Sequence, residues 1–415
     1  MNLELSRFAA RLREGLADWP AAGDDLQFEA LALELFALQF HRNAAYQKIC
    51  IAQNRTPQTV AHWEQIPFVP TAAFKELELT SLPPGERPAV FHSSGTTEQK
   101  PSRHFHNAES LAVYEASLWT WFVQSRAGVP PARAERSDAH SLLALCARRG
   151  RRDACPTLVA LTPPPEQALH SSLVHMFEII RQKMSAPKSA FVGQAEADGT
   201  WTLNFPAALA LLSPDPKPET RDPKSQTPDP KLVLGTAFSF VHLLDGLVEN
   251  KLRLPLPAGS RVMETGGYKN RSRTLPKAEL HALITEYLGV PRESIFCEYG
   301  MSELSSQAYD VTGAECHPPS SILYPPSSIL YPPSSTRHPR AFLFPPWARA
   351  QVISPETGRE VAEGETGLLR ILDLANVFSV AAVQTEDLAV RRGAGFGLLG
   401  RAAAAEPRGC SLMTV

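Results

Sequence analysis

The segment from Ser260 to Glu303 constrains the fold more than any other, because it alternates strand, helix and strand and places a polar turn after each strand. Ser260-Arg261-Val262-Met263 reads as a strand ending in Glu264-Thr265-Gly266-Gly267. A helix follows, with Pro276 near its start, apolar residues at Leu280, Leu283, Ile284, Tyr287 and Leu288, and Gly289 as its stop. Ser294-Ile295-Phe296-Cys297 then reads as a buried strand that runs into Glu298-Tyr299-Gly300-Met301-Ser302-Glu303. Such a unit connects in the right-handed sense with its strands parallel. Both turns are therefore expected at the carboxyl ends of neighbouring strands, the edge where open α/β sheets bind ligands.

Three further polar segments answer this unit. Pro88-Ala89-Val90-Phe91 reads as a short strand leading to Ser93-Ser94-Gly95-Thr96-Thr97. The glycine allows a tight turn that presents backbone N–H groups among hydroxyls, an arrangement able to hold phosphate. Thr385-Glu386-Asp387 follows the apolar run 377–383, and Gly400-Arg401 follows the apolar segment 396–399. A carboxylate suits a ribose diol, and a guanidinium suits a phosphate. Taken singly, each has an ordinary structural reading: a hydroxyl-rich turn, a helix-start carboxylate for Glu303, a turn residue for Asp387.

Taken in order, Ser-Ser-Gly-Thr-Thr, Glu-Thr-Gly-Gly-Tyr-Lys, Glu-Tyr-Gly-Met-Ser-Glu, Thr-Glu-Asp and Gly-Arg resemble the adenylate-forming superfamily of acyl-CoA synthetases and luciferase-like ligases. Within it the sequence is most similar to the LuxE-type acyl-protein synthetases, with phenylacetate-CoA ligase and coenzyme F390 synthetase-like enzymes as neighbours. The stretches 63–68, 73–75, 170–177, 264–310 and 408–412 carry this closer likeness, which spans about residues 28–412. It implies an α/β fold: a large adenylation domain of mixed and parallel sheets flanked by helices over residues 1–390, and a truncated C-terminal segment, a short arm at 391–415.

The resemblance also implies roles. Ser93, Ser94, Gly95, Thr96 and Thr97 match the loop that grips the outer phosphates of ATP. Tyr299 matches the aromatic that stacks on adenine, and Gly266 and Gly267 match the turn passing close to the base. Ser302 stands where a threonine hydroxyl usually meets the α-phosphate, and Glu303 matches the carboxylate that helps hold Mg²⁺, a cation suited to hard oxygen ligands. Asp387 is expected on the ribose hydroxyls and Arg401 near ribose or phosphate. In the family a carboxylic acid, here a fatty or related acid, attacks the α-phosphorus to give an acyl-adenylate and pyrophosphate. A cysteine at the position of Cys410 then accepts the acyl group and passes it to a partner, an acyl reductase or carrier protein. Cys410 lies nine positions beyond Arg401, so an extended arm reaches up to about 30 Å. A thiolate is the reacting species, and Arg408 favours it.

The sequence also departs from the family pattern. Glu98 stands where a further glycine is common and puts negative charge beside the phosphate loop, with Lys100 as its counterweight. Lys269 is read either as a phosphate contact or as a solvated side chain. Two other readings stay open: an acyl-CoA or phenylacetate-CoA ligase-like enzyme with a small acceptor, and a nucleotide-binding or scaffold subunit that has lost catalysis.

Three segments read as insertions. Residues 146–156 hold four arginines between two similar apolar runs, 213–231 repeat Asp-Pro-Lys three times, and 315–338 contain two copies of Pro-Pro-Ser-Ser-Ile-Leu-Tyr. Proline at this density sustains neither a helix nor a coiled coil. With 415 residues, 43% hydrophobic, and a net charge of −2, the chain can bury a large core and has no bias toward a nucleic-acid partner. Residues Leu5, Phe8, Leu12 and Leu16 mark an amphipathic first helix rather than a secretion signal, and no apolar run is long enough for a transmembrane segment. The six cysteines lack zinc-ligand spacing. A cytoplasmic enzyme is expected. Residues 107–126 and 165–184 read as helices, and Gly235-Thr236-Ala237-Phe238 as a small-residue turn that leaves space beside the adenylate.

Overall fold

The computed structural model describes residues 2–19, 24–93, 100–125, 156–185, 188–213, 229–266, 274–311 and 340–402. The chain divides into two compact units, one formed by Met1–Leu82 with Leu304–Ala405 and one by Pro83–Glu303 with Glu406–Val415.

The first unit opens with helices Leu3–Gly15, Asp25–Arg42 and Ala44–Ala52, each capped by a side chain of Asn2, Asp24 or Asn43 that accepts a first-turn N–H. As the apolar spacing predicts, Leu5, Phe8, Leu12 and Leu16 are buried. Strand β1 (Val69–Pro70) comes next in this unit.

The second unit carries the hairpin of β2 (Ala89–His92) and β3 (Arg103–His106). It continues through β4 (Thr157–Ala160), β5 (Ala190–Phe191), the small hairpin of β6 (Gly193–Ala195) and β7 (Trp201–Leu203), then β8 (Lys231–Thr236), β9 (Arg261–Thr265) and β10 (Ile295–Tyr299). Strands β5, β4, β8, β9 and β10 lie side by side in that order, all parallel. Residues of β8 and β9 are buried throughout, as strands covered on both faces must be. Helices Ala237–Glu249 and Lys277–Leu288 pack on this sheet through a core that includes Phe240, Leu244, Leu280 and Ile284. The second helix stops at Gly289 as expected, with φ of +65°.

The chain then returns to the first unit as β11 (Ala308–Val311), β12 (Ala341–Leu343), β13 (Ala348–Ile353), β14 (Thr366–Asp373), β15 (Ala382–Arg392) and β16 (Gly395–Arg401). They form an antiparallel array in the order β13-β14-β15-β16-β12-β11, with β1 joined in parallel to β15. The α/β class with parallel and mixed sheets flanked by helices is the one expected from sequence. Residue 390 falls inside β15, which turns through Gly393 into β16. No described helix is long and apolar enough to cross a membrane.

Some expectations need correction. The helix read over 165–184 is broken: Pro165–Gln167 is a single 3-10 turn, Leu169 is 74% exposed, and the helix proper is Ser172–Met184, capped by Ser171. The prolines at 163–165 and the hydroxyl of Ser171, which accepts from Val174 N, set that boundary. Lys231, the last residue assigned to the second insertion, opens β8 and is buried. Residues 146–155, 214–228 and 315–338 lie outside the described residues.

A buried carboxylate anchors the first unit just past Glu303. Asp373, fully buried, accepts from Ser305 N at 2.9 Å, Ser306 N at 2.8 Å, Ser306 Oγ at 2.7 Å and Ala375 N at 3.0 Å. Burial pushes its carboxyl up, and these hydrogen bonds act against the shift. Gln39 plays a similar part, donating to the carbonyls of Asn376 and Val377 and accepting from Ala381 N. Replacing Asp373 with alanine orphans several buried donors at roughly 1–3 kcal/mol each. We therefore expect Asp373→Ala to lose about 3 kcal/mol or more, read as a lower urea midpoint, and Asp373→Asn to lose less.

Candidate functional site

The two turns of the β9 to β10 unit stand as the parallel register dictates. Glu264 pairs with Cys297 and Thr265 with Glu298, so the strands end level with one another. Gly266 follows β9 with φ of +72°, a left-handed conformation that favours glycine. Tyr299 ends β10 with its ring largely buried. The Thr265 hydroxyl donates to the Glu298 carboxylate. Burial pushes the Glu298 carboxyl up to about 7; the Thr265 hydrogen bond opposes this and the charge of Glu264 adds to it.

Of the residues expected to hold phosphate, Ser93 is described, while Ser94, Gly95, Thr96 and Thr97 lie outside the described residues, as do Glu98, Gly267, Lys269, Arg408 and Cys410. Ser93 is clamped to Ser102 at the loop end of the β2 and β3 hairpin. Its N–H donates to the Ser102 carbonyl at 3.2 Å, and Ser102 N donates back to Ser93 Oγ at 2.9 Å. Ser102 Oγ in turn donates to Glu303 Oε1 at 2.7 Å, and Ser302 Oγ donates to Glu303 Oε2 at 3.1 Å. His104 Nδ1 donates to the Ser302 carbonyl. Three residues expected to serve the nucleotide, Ser93, Ser302 and Glu303, are thus gathered around one serine.

Ser102 and His104 were not among the residues picked out from sequence. Their signal is the alternation Ser102-Arg103-His104-Phe105-His106, whose period of two puts a hydroxyl and two imidazoles on one strand face. All three are buried, and the residues between them are only half-buried. Burial holds His104 below its usual range, against the Ser302 hydrogen bond and the Glu303 charge. His106 lies well below, through burial and its neighbours His104 and His175. Both rings are neutral at pH 7. The stretch 170–177 braces the partner strand β2: His170 Nδ1 donates to the Val90 carbonyl at 3.0 Å, and the His170 ring stacks on His92 at 4.5 Å.

Around Glu303 the donors are hard oxygens: its own carboxylate and the hydroxyls of Ser102 and Ser302. That set fits Mg²⁺ by type. Each carboxylate oxygen takes one hydroxyl donor, from Ser102 on Oε1 and from Ser302 on Oε2.

In the first unit, Asp387 and Arg401 are register partners in β15 and β16. Arg401 Nε donates to Asp387 Oδ1 at 3.3 Å and Nη2 donates to Glu386 Oε2 at 3.0 Å, so one guanidinium serves both acids. The space expected beside Gly235 is filled. A Cβ there would lie 2.7 Å from Ser239 Oγ, 3.1 Å from Phe240 and 3.2 Å from Leu161, so the glycine lets the helix Ala237–Glu249 pack tightly against β8.

Glu298 generates a pH prediction. Its folded carboxyl titrates at about 7 and the ordinary value is 4.5, so the unfolded chain gives up the proton first. The group therefore costs nothing below pH 4.5, and stability falls as pH rises from there to about 7. Glu298→Gln keeps an acceptor for Thr265 without the charge. It is expected to melt with the parent protein near pH 5 and several degrees higher at pH 8, an effect of up to about 3 kcal/mol.

No protein-family model matches the chain, and no curated protein matches it by sequence. Among solved structures it is similar to 2-hydroxyisobutyryl-CoA ligase. An open conformation in complex with 2-HIB-AMP and CoA gives a TM-score of 0.58 at 12% identity, covering 92% of this chain and 71% of that one. The thioesterification state with the same ligands gives 0.57 at 14% identity, covering 92% and 69%. The postadenylation state with 2-HIB-AMP gives 0.56 at 14% identity, covering 92% and 68%. At these identities the likeness is one of fold, and this chain has the α/β fold of that ligase.

Proposed function

We propose that this chain is an ATP-dependent acyl-activating enzyme that adenylates a fatty or related carboxylic acid and transfers the acyl group to Cys410. The observation that carries the reading is the clasp in which Ser102 ties Ser93, the first residue of the phosphate loop, to Glu303 beside Ser302. Adenylation needs a phosphate-binding loop and a metal-binding carboxylate at one place. The fold shared with a ligase bound to 2-HIB-AMP supports the same reading.

On this reading residues 93–97 hold the outer phosphates of ATP, Ser302 meets the α-phosphate, and Tyr299, Gly266 and Gly267 receive the adenine. Asp387 takes the ribose hydroxyls and Arg401 lies near ribose or phosphate. Mg²⁺, held by Glu303, would neutralise phosphate charge. A substrate carboxylate oxygen attacks the α-phosphorus, the bond to the bridging oxygen breaks, and pyrophosphate leaves. No protein nucleophile is needed, since positioning and electrostatics supply the acceleration. The Cys410 thiolate, its proton lost to solvent, then attacks the acyl carbonyl, the bond to the AMP oxygen breaks, and AMP departs. The acyl group passes onward to an acyl reductase or carrier protein.

A second reading sends the acyl group to a small thiol instead. It is favoured by the CoA bound to 2-hydroxyisobutyryl-CoA ligase. The two readings separate at Cys410.

Pyrophosphate release from ATP and Mg²⁺, measured over a panel of fatty and aromatic acids, is expected to depend on the acid. Intact mass should show an acyl adduct that Cys410→Ala abolishes; turnover with CoA that survives Cys410→Ala would establish the second reading. ATP binding with no release for any acid would instead indicate a nucleotide-binding subunit. Glu303→Gln is expected to slow release at least about a hundredfold, the scale of losing one electrostatic group aimed at developing charge.

A further inference from the structure

Behind the β9 and β10 turns lies a cluster that acyl activation does not use. Glu264 of β9 and Cys297 of β10 are register partners and therefore project to the same face of the sheet. There they meet His281, on the helix Lys277–Leu288. Cys297 Sγ lies 3.0 Å from Glu264 Oε2, His281 Nε2 lies 3.3 Å from the same oxygen, and Sγ and Nε2 are 3.8 Å apart. All three residues are buried.

We propose that Glu264, His281 and Cys297 form a binding site for a zinc-like divalent cation. A tetrahedral ion held at about 2.0–2.3 Å from oxygen, nitrogen and sulfur separates those atoms by roughly 3.3–3.6 Å. The triangle observed here has edges of 3.0, 3.3 and 3.8 Å, so it fits one face of such a tetrahedron with shifts of a few tenths of an ångström. The charge also closes. A divalent ion with one carboxylate, one thiolate and one neutral imidazole is neutral overall, the condition a dry interior favours. Binding releases the Cys297 thiol proton to solvent and shifts the neutral imidazole's proton from Nε2 to Nδ1, which leaves the Nε2 lone pair for the metal. Sulfur and imidazole ligands select zinc over magnesium, which separates this site chemically from Glu303.

Further observations agree with this. Burial by itself would raise the Glu264 carboxyl, yet hydrogen bonds from His281 and Cys297 and the charge of Lys277 hold it below the ordinary range, so an anionic ligand is ready. The His281 ring makes its described polar contacts inside the cluster alone, because Nδ1 has no partner among the described residues. Sequence spacing hides the site, since its ligands stand at 264, 281 and 297 on three separate elements. An ion there ties β9, β10 and the intervening helix together directly behind Gly266 and Tyr299, and its role is to hold those turns in register.

The test uses the full chain, loaded with Zn²⁺, desalted and measured by elemental mass spectrometry, and in parallel loaded with Co²⁺. About one zinc per chain is expected, with a thiolate-to-cobalt charge-transfer band in the near ultraviolet and a melting temperature lowered by chelator. Cys297→Ser should lose the band and at least tenfold in metal affinity, while Glu303→Gln keeps both. Should Cys297→Ser fail to fold, the cobalt spectrum of the unmodified protein decides. Absence of zinc and of the charge-transfer band in a protein with native circular dichroism overturns the proposal. So does zinc that is lost with Glu303→Gln and kept in Cys297→Ser.

Discussion

Parallel pairing of β9 with β10 is the constraint on which the candidate site rests. Its register sets Thr265 against Glu298 and Glu264 against Cys297, so the turn at Gly266 and the segment from Tyr299 to Glu303 leave the sheet at one level. A slip of one residue would reverse every side chain between the faces. It would carry Glu264 and Cys297 away from the helix that bears His281 and move Glu298 away from the Thr265 hydroxyl. Burial of both strands makes such a slip costly, because Val262, Met263, Ile295 and Phe296 would lose their packing.

Glu303, Glu264 and Glu298 of the second unit and Asp373 of the first are buried carboxylates, each accommodated by different chemistry. Glu303 takes hydroxyl donors on both oxygens and Asp373 takes three backbone N–H groups and one hydroxyl. Glu264 takes a thiol and an imidazole, whereas Glu298 has the Thr265 hydroxyl and a like charge nearby. The differences follow from donors, since a buried carboxylate stays ionised only as far as hydrogen bonds and positive charge replace its lost water. Glu298, buried with one hydroxyl donor and a like charge nearby, is pushed up to about 7.

This arrangement bears on the proposed chemistry. A carboxylate aimed at phosphate-bound Mg²⁺ must be fixed before the substrate arrives, because reorganising it during reaction would add to the barrier. Ser102 and Ser302 fix Glu303, and the neutral His104 fixes Ser302 through its carbonyl. Ser102 and His104 belong to the hairpin whose loop end carries Ser93, so Ser93 and Glu303, the residues proposed for phosphate and metal, share one support. The ion pair of Arg401 with Asp387 and Glu386 has a comparable effect in the first unit, where antiparallel register places guanidinium and carboxylate opposite each other.

The sequence by itself determined the α/β class, the strand, helix and strand from Ser260 to Tyr299, the stop at Gly289 and the buried face of the first helix. Each of these is local: apolar period, a capping residue and a glycine suffice to specify it. It also marked Ser93, Ser302, Glu303, Tyr299, Asp387 and Arg401 as residues of interest, through motif order rather than geometry. The tertiary structure alone decided that Ser102 joins Ser93 to Glu303, that Arg401 is paired with Asp387, that Gly235 lies under a helix instead of beside an open space, and that Glu264, His281 and Cys297 converge. The side-chain hydrogen bonds among these contacts span separations from 9 to 201 residues along the chain. No local pattern encodes them, because they arise only when strand register and helix packing bring distant positions onto one face.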